Sequence, residues 1–79
     1  MMKKFIVNLN NVEKIKQFSA DVSKFESEID VVSNRYTVDA KSIMGLFSLN
    51  LSKPVDVIFY SDDEFELEKF AVIMKNYEV

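Results

Sequence analysis

The sequence contains no cysteine, which excludes disulfides, thiolate metal sites and a thiol nucleophile and leaves packing to hold the fold. It has one glycine and one proline in 79 residues, and 48% of the residues are hydrophobic. This composition is typical of a packed globular domain and not of a disordered tail. We expect one domain with one core over residues 1–79, in a reducing compartment.

Long apolar runs and an excess of positive charge are also absent. No run reaches 18 apolar residues, and the apolar stretch after the basic start covers only residues 5–7, so neither a membrane span nor a signal peptide is predicted. The net charge is −3, and residues 61–79 carry six acidic side chains against two basic ones. This balance disfavours binding to nucleic acids and to anionic membranes. We expect a soluble, cytoplasmic protein.

Hydrophobic periodicity predicts seven elements in the order β-α-β-β-α-β-α. Alternating apolar residues place strands at about 3–9, 28–33, 35–40 and 55–60. Helical spacing predicts a first helix from about Val12 to Phe25, a short helix capped by Ser42, and a last helix that begins within residues 61–64. The sequence therefore predicts a mixture of strands and helices without repeats.

Capping and turn residues mark the predicted boundaries. Asn10 with Glu13 has the spacing of a helix cap, and Ser61 with Glu64 has the spacing of a capping box. The Ser33–Asn34 pair predicts a tight turn between the second and third strands, because asparagine tolerates positive φ.

Two apolar stripes follow the longer helices. The first consists of Val12, Ile15, Phe18, Val22 and Phe25, and the second of Leu67, Phe70, Ala71, Met74 and Tyr77. Such stripes predict two amphipathic helices that cover one face of an antiparallel sheet, an α+β two-layer sandwich. A ferredoxin-like arrangement shares the β-α-β-β-α-β order, so periodicity leaves both arrangements open.

The segment from Asp39 to Leu49 resembles the Lys-Ser-Ile-Met-Gly stretch of HPr, the histidine-containing phosphocarrier of the bacterial phosphotransferase system. Ser23-Lys24-Phe25 resembles the Ala-Ser-Lys-Phe segment of the same family, at a distance that needs no gap. The resemblance implies an HPr-like open-faced sandwich, with a four-stranded antiparallel sheet covered on one face by helices. It also implies a bacterial protein of the phosphotransferase or carbon-regulation system.

The family's phosphate-accepting histidine motif, Gly-[Leu/Ile]-His-Ala-Arg-Pro-Ala, is missing. The ungapped resemblance places Asn11 at the histidine, Val12 at the alanine, Glu13 at the arginine and Lys14 at the proline. The chain contains no histidine at all, and an asparagine amide does not form the labile phosphoryl bond that an imidazole forms. We therefore predict no catalytic residue, no enzyme activity, no cofactor and no metal.

Ser42 is the candidate for covalent regulation. In HPr relatives of low-GC Gram-positive bacteria an ATP-dependent serine kinase phosphorylates the matching residue, and the resemblance implies the same here. A serine at a helix start is also a simple N-cap, and this alternative stays open.

Met44 and Phe47 are the candidates for an exposed partner contact. A helix this short cannot bury every apolar residue around it, so we predict Ile43, Leu46 and Leu49 inside and Met44 and Phe47 outside. In the geometry that the resemblance implies, these two residues share one edge with Asn11, Glu13 and Ser42. The expected partners are phosphotransferase-system or carbon-regulation proteins and a serine kinase.

Two other functions remain open. One is a diverged HPr-fold interaction module with an unrelated partner. The other is a small enzyme that uses acids such as Glu64 and Glu66, for which the sequence offers neither a nucleophile nor a glycine-rich loop. The acidic run 62–68 matches no calcium loop and is typical of a solvated helix start.

Overall fold

The structure, a computed structural model, describes residues 2–79. Its elements are β1 (Met2–Val7), α1 (Val12–Val22), β2 (Glu28–Ser33), β3 (Tyr36–Asp39), α2 (Ile43–Phe47), β4 (Val55–Tyr60) and α3 (Glu64–Met74). The predicted element order is confirmed. The first predicted strand ends two residues early, because the Asn8 N–H donates to the Tyr77 carbonyl (2.8 Å) and leaves the sheet.

The four strands form one sheet in the order β1-β4-β2-β3. Every neighbouring pair is antiparallel, so β1 and β2, which flank β4, run parallel to each other. Phe5 and Val31 both lie opposite Val57, which places all three side chains on the same side of the sheet.

The core lies between this side of the sheet and the helices. Alternate strand residues are buried, among them Phe5, Val31, Val57 and Phe59. From α3, the Phe70 ring stacks on Phe59 at 4.2 Å between centroids and meets the Phe5 ring edge-on at 5.3 Å. Helices cover one face and leave the other open, which confirms the predicted open-faced antiparallel sandwich.

Helix α1 begins at the predicted Val12 but differs from the prediction in its cap and in its end. Asn11 caps it, not Asn10: the Asn11 Oδ1 accepts from the Lys14 N–H at 2.8 Å. The helix ends at Val22 because the Ser23 hydroxyl donates to the Ser19 carbonyl (2.7 Å) and the chain tightens into a turn.

The predicted stripe of α1 is wrong at its first member and irregular at its last. Val12 is 50% exposed, because it follows the cap in a first turn that extends beyond the core. Phe25 lies past the helix end, half-buried, and its ring still meets those of Phe59 (5.7 Å) and Phe70 (5.3 Å) edge-on. The helical spacing thus predicted that Phe25 packs against the core, but a turn and not the helix places it there.

Two further predicted boundaries shift by one or two residues. Asp63 caps α3 and accepts from the Phe65 N–H at 2.9 Å, whereas the predicted cap Ser61 accepts from the Asp63 N–H at 3.0 Å. Asn34 has the predicted positive φ of 56°, but the turn residues are Asn34 and Arg35, since Ser33 pairs with Tyr36 in the sheet.

The end of the chain returns to the sheet. Glu78 forms a β-bridge with Val7, and the buried Tyr77 packs its ring edge-on against Phe18 at 5.4 Å. The Tyr77 hydroxyl donates to the Asp21 carboxylate at 2.7 Å, which fixes the last turn against α1. Within residues 2–79, no helix has the length and apolar character needed to cross a membrane.

Candidate functional site

Asn11 stands at the start of α1 with its side chain engaged. Its backbone is extended (φ −149°, ψ 161°), the conformation of an N-cap, and its Oδ1 accepts from the Lys14 N–H. The residue is exposed, so solvent and a partner can both reach its amide. The side-chain oxygen of Asn11 is therefore engaged in capping α1.

Glu13 lies exposed in the first turn of the same helix. A carboxylate there interacts favourably with the positive end of the helix dipole, which accounts for the residue structurally. It also places negative charge two residues from Asn11, with exposed Val12 between them and half-buried Lys14 directly after. An incoming phosphoryl group would meet that negative charge.

Ser42 caps α2. Its Oγ accepts from the Gly45 N–H at 3.2 Å, and its own N–H donates to the Asp39 carbonyl at 3.0 Å. The predicted cap is confirmed, and the exposed residue leaves its hydroxyl accessible. Gly45 allows this close packing, because a Cβ at that position would lie 3.3 Å from both the Ser42 Oγ and the Val38 Cβ.

The predicted division of α2 and its flanks into inner and outer residues is confirmed. Leu46 is fully buried, and Ile43 and Leu49 are half-buried against the core. Met44 is 79% exposed and Phe47 46% exposed. The exposed pair gives this end of the molecule an apolar surface.

A shallow depression of about 310 Å³ lies between the start of α1 and the segment that follows α2. Asn11 and Phe47 both line it, together with Val12 and Leu51. Glu13, Ser42 and Met44 do not line it. The structure therefore brings two of the five predicted site residues into one concave surface and leaves the other three outside it.

Val12 was missed as a site residue because its spacing matched the core stripe. A residue directly after an N-cap lies in the first helical turn, at the margin of the packed region, and this position could have signalled its exposure. Val12 and Phe47 supply exposed apolar surface around Asn11.

The acidic residues weighed for an enzyme do not form a pair. Glu66 accepts a hydrogen bond from the Ser27 hydroxyl, while Glu64 is exposed in the first turn of α3. Among residues 2–79, no group of three or more acidic side chains is placed to hold a metal ion.

A larger depression, about 720 Å³, lies between α3 and the segment that follows α1. It contains none of the five predicted site residues, and side chains of both charges, such as Lys69 and Glu66, border it. Its lining combines apolar side chains such as Phe65 and Val72 with these charged residues and includes no hydroxyl or thiol nucleophile. The smaller depression is the better candidate site.

The family model for the HPr component of the phosphotransferase system and its phosphorylation site matches residues 12–76. This chain belongs to the HPr family. The match begins one residue after Asn11 and includes both Glu13 and Ser42.

Solved HPr structures have the same fold. The phosphocarrier protein HPr from Bacillus anthracis is similar with a TM-score of 0.70 and 29% identity, over 94% of this chain and 95% of that one. HPr from Thermoanaerobacter tengcongensis is similar with a TM-score of 0.67 and 27% identity, over 92% of this chain and 91% of that one. Periodicity left an HPr-like and a ferredoxin-like arrangement open, and these similarities show that the arrangement is HPr-like.

Proposed function

We propose that this HPr-family chain does not carry a phosphoryl group and acts through protein contacts at the starts of α1 and α2. The supporting observation concerns Asn11, the residue that the resemblance places at the family's histidine, whose Oδ1 accepts a hydrogen bond from the Lys14 N–H. Phosphoryl carriage breaks one labile P–N bond on the donor and forms another on an acceptor imidazole. An amide nitrogen, delocalised into its carbonyl, is too weak a nucleophile, and the chain has no histidine to replace it.

The experiment is phosphorylation by phosphoenolpyruvate and the general phosphotransferase enzyme. We expect no acid-labile, base-stable phosphate on this chain, with a histidine-containing HPr labelled in parallel as the positive control. Label of that stability on the wild-type chain would refute the proposal.

Introducing a histidine at position 11 tests the electrostatic effect proposed for Glu13. Asn11→His alone should remain poorly labelled, because Glu13 repels the phosphoryl group, and Asn11→His with Glu13→Arg should be labelled better. Glu13→Arg alone is the matched control and should stay unlabelled. Equal labelling of the single and double histidine variants would remove the role assigned to Glu13.

The contact surface in this proposal consists of Asn11, Glu13, Met44 and Phe47. Exposed apolar side chains next to polar cap residues suit a protein partner, and no catalytic apparatus accompanies them. The proposed partners are phosphotransferase-system or carbon-regulation proteins. The chain is not an enzyme in this proposal, and residues 1–79 act as one domain.

Ser42 is the proposed regulatory position. Its hydroxyl is exposed, and a phosphate on it would add a charge of about −1.5 to −2 between Asp39 and the exposed Met44. Incubation with ATP and an HPr serine kinase should therefore give acid-stable phosphate on the wild type and none on Ser42→Ala. Phosphate on the Ser42→Ala variant would show that the kinase modifies a different residue.

The second candidate function is an HPr-fold module with an unrelated partner. The departures from the family motif at Asn11, Val12, Glu13 and Lys14 favour it, because they change the chemistry of one continuous stretch of surface. In that case the chain will bind neither the general phosphotransferase enzyme nor the serine kinase in a direct binding assay.

A further inference from the structure

The side of the sheet that faces away from the helices, here called the open face, has an apolar strip. Strand pairing places Ile6 opposite Asp56, and Met2 opposite Tyr60, with the side chains of each pair on this side. Met2 is 60% exposed, Ile6 52% and Tyr60 38%, and half-buried Ile58 lies between them on β4. The apolar strip, defined as Met2, Ile6, Ile58 and Tyr60, therefore extends over β1 and β4.

Next to the apolar strip lies a carboxylate patch, defined as Glu28, Asp30, Asp39 and Asp56. Pairing brings Glu28 beside Tyr60, Asp30 beside Ile58, and Asp39 beside Asp30. Asp30 and Asp56 are half-buried, and Glu28 and Asp39 are exposed. Three of the four carboxylates stand on β2 and β3. Asp56 stands on β4 opposite Ile6, and Lys4 stands on β1 between Met2 and Ile6, so the apolar strip contains one charge of each sign.

Tyr60 lies beside Glu28 in the β4–β2 pair, at the boundary between the apolar strip and the carboxylate patch. Partial desolvation raises the pKa of Tyr60, and the neighbouring carboxylates of Asp30 and Glu28 raise that pKa further. Among the described strand residues of this face, Lys4 is the single cation. Outside the strands, Lys41 lines a depression with Glu28, Asp30 and Asp39, and Lys53 lines another with Asp56. The four carboxylates outnumber these three lysines, so the net charge of the face is negative.

The dimensions and the charge of the open face indicate which kind of partner fits it. Two adjacent strands span about 10 Å, the width of one α-helix with its side chains. A helix lying over β1 and β4 would bury the apolar strip and hold one flank above the carboxylate patch. That flank needs lysine or arginine to match the patch.

A second copy of the chain fits poorly. Stacking two open faces would set each carboxylate patch against the other patch or against the apolar strip, and either arrangement buries uncompensated charge. Complementarity thus selects a different molecule with cationic side chains.

We propose that the open face is a second docking surface, for an amphipathic helix of a partner protein that carries lysine or arginine along one flank. This surface is separate from the contacts at α1 and α2, since helices α1 and α2 cover the opposite face. The two surfaces would allow one chain to bridge two proteins.

The probe is a synthetic amphipathic peptide with a leucine stripe and lysines along one flank, titrated into the labelled full chain and followed by amide chemical shifts. We expect shifts centred on β1, β4 and β2, with binding that weakens as salt is added. A peptide with glutamates in place of the lysines and a permuted peptide without the stripe should not bind. Absence of binding, shifts centred on α1 and α2, or equal binding of the permuted peptide would overturn the proposal.

Variants of the open face test how much the apolar strip and the carboxylate patch each contribute to peptide binding. Ile6→Thr keeps a β-branched residue in the strand and should weaken binding about tenfold. Glu28→Gln with Asp56→Asn should weaken it by a similar factor and flatten its salt dependence. Phe65→Ser, at a 79% exposed aromatic of α3, is the matched control and should bind like the wild type. Unchanged binding by the Ile6 and carboxylate variants, with native spectra, would refute the assignment.

Discussion

Single residues explain much of the stability of this small domain, and Phe18 is the clearest case. Its side chain has no exposed surface and its ring packs on Tyr77. Phe18→Ala should lower the free energy of unfolding by about 3–5 kcal/mol, a large part of the total for a domain of this size. Urea titration measures the loss, and Met44→Ala, at an exposed position, serves as the control with a change below about 0.5 kcal/mol. A loss below about 1 kcal/mol for Phe18→Ala would place this helix face outside the core.

Tyr77 links stability to alkaline pH. Burial raises the pKa of Tyr77, and the hydrogen bond with Asp21 and the charge of Asp21 raise it further. Because the pKa is higher in the folded state, the stabilisation is complete below the ordinary tyrosine pKa of about 10 and is lost as pH rises above it.

Tyr77→Phe removes this linkage together with the bond to Asp21. The variant should be less stable at neutral pH by about 1.5–3 kcal/mol, the net contribution of a hydrogen bond to a charged group. The difference from the wild type should stay constant up to about pH 10 and shrink above it. Tyr60 is present in both proteins, so its own titration cancels in the comparison. A difference that grows above pH 10 would contradict the assigned linkage.

At the scale of elements, the caps decide where helices begin. Asn11→Ala should cost about 1 kcal/mol of stability, because the Lys14 N–H loses its acceptor, while Asn10→Ala should cost almost nothing. Thermal or urea unfolding of the two variants compares neighbouring asparagines in one chain. Equal losses would mean that the cap is shared between them.

Helix α2 is the element on which the proposed contacts depend. Met44→Asp and Phe47→Asp should keep the melting temperature within a few degrees, since both side chains are exposed, and should abolish binding to a partner of the α1 and α2 surface. Ser42→Asp should change that partner's affinity. Calorimetry and a binding assay separate the two effects. Unfolding of both apolar variants would assign Met44 and Phe47 to the core.

At the scale of the whole molecule, one sheet separates two different surfaces. The helical side carries the proposed HPr-like contacts around Asn11 and Phe47, and the open side carries the apolar strip and carboxylate patch. Phosphorylation of Ser42 would act on the helical side. If both proposals hold, Phe47→Asp will abolish binding at α1 and α2 and leave the lysine peptide's affinity for the open face unchanged. A parallel change at both surfaces would show that they are coupled through the sheet.

The sequence by itself determined the order of elements and most of the core. Period-two and helical spacing identified every strand and helix, since burial of one face imposes that spacing. It also determined that the chain contains no histidine, so no imidazole is present to accept a phosphoryl group. The exposure of Met44 and Phe47 followed from the shortness of their helix.

Tertiary structure decided what depends on contacts between distant segments. Strand order depends on which strands pair, and the cap at Asn11 instead of Asn10 depends on where the chain enters α1. The burial of Phe25 beyond its helix comes from rings on α3 and β4, which no local spacing encodes. The open face emerged only with the register, because pairing between strands brings Ile6, Tyr60 and the carboxylates together. Local patterns record which side of an element is apolar, and the register sets which of those sides meet.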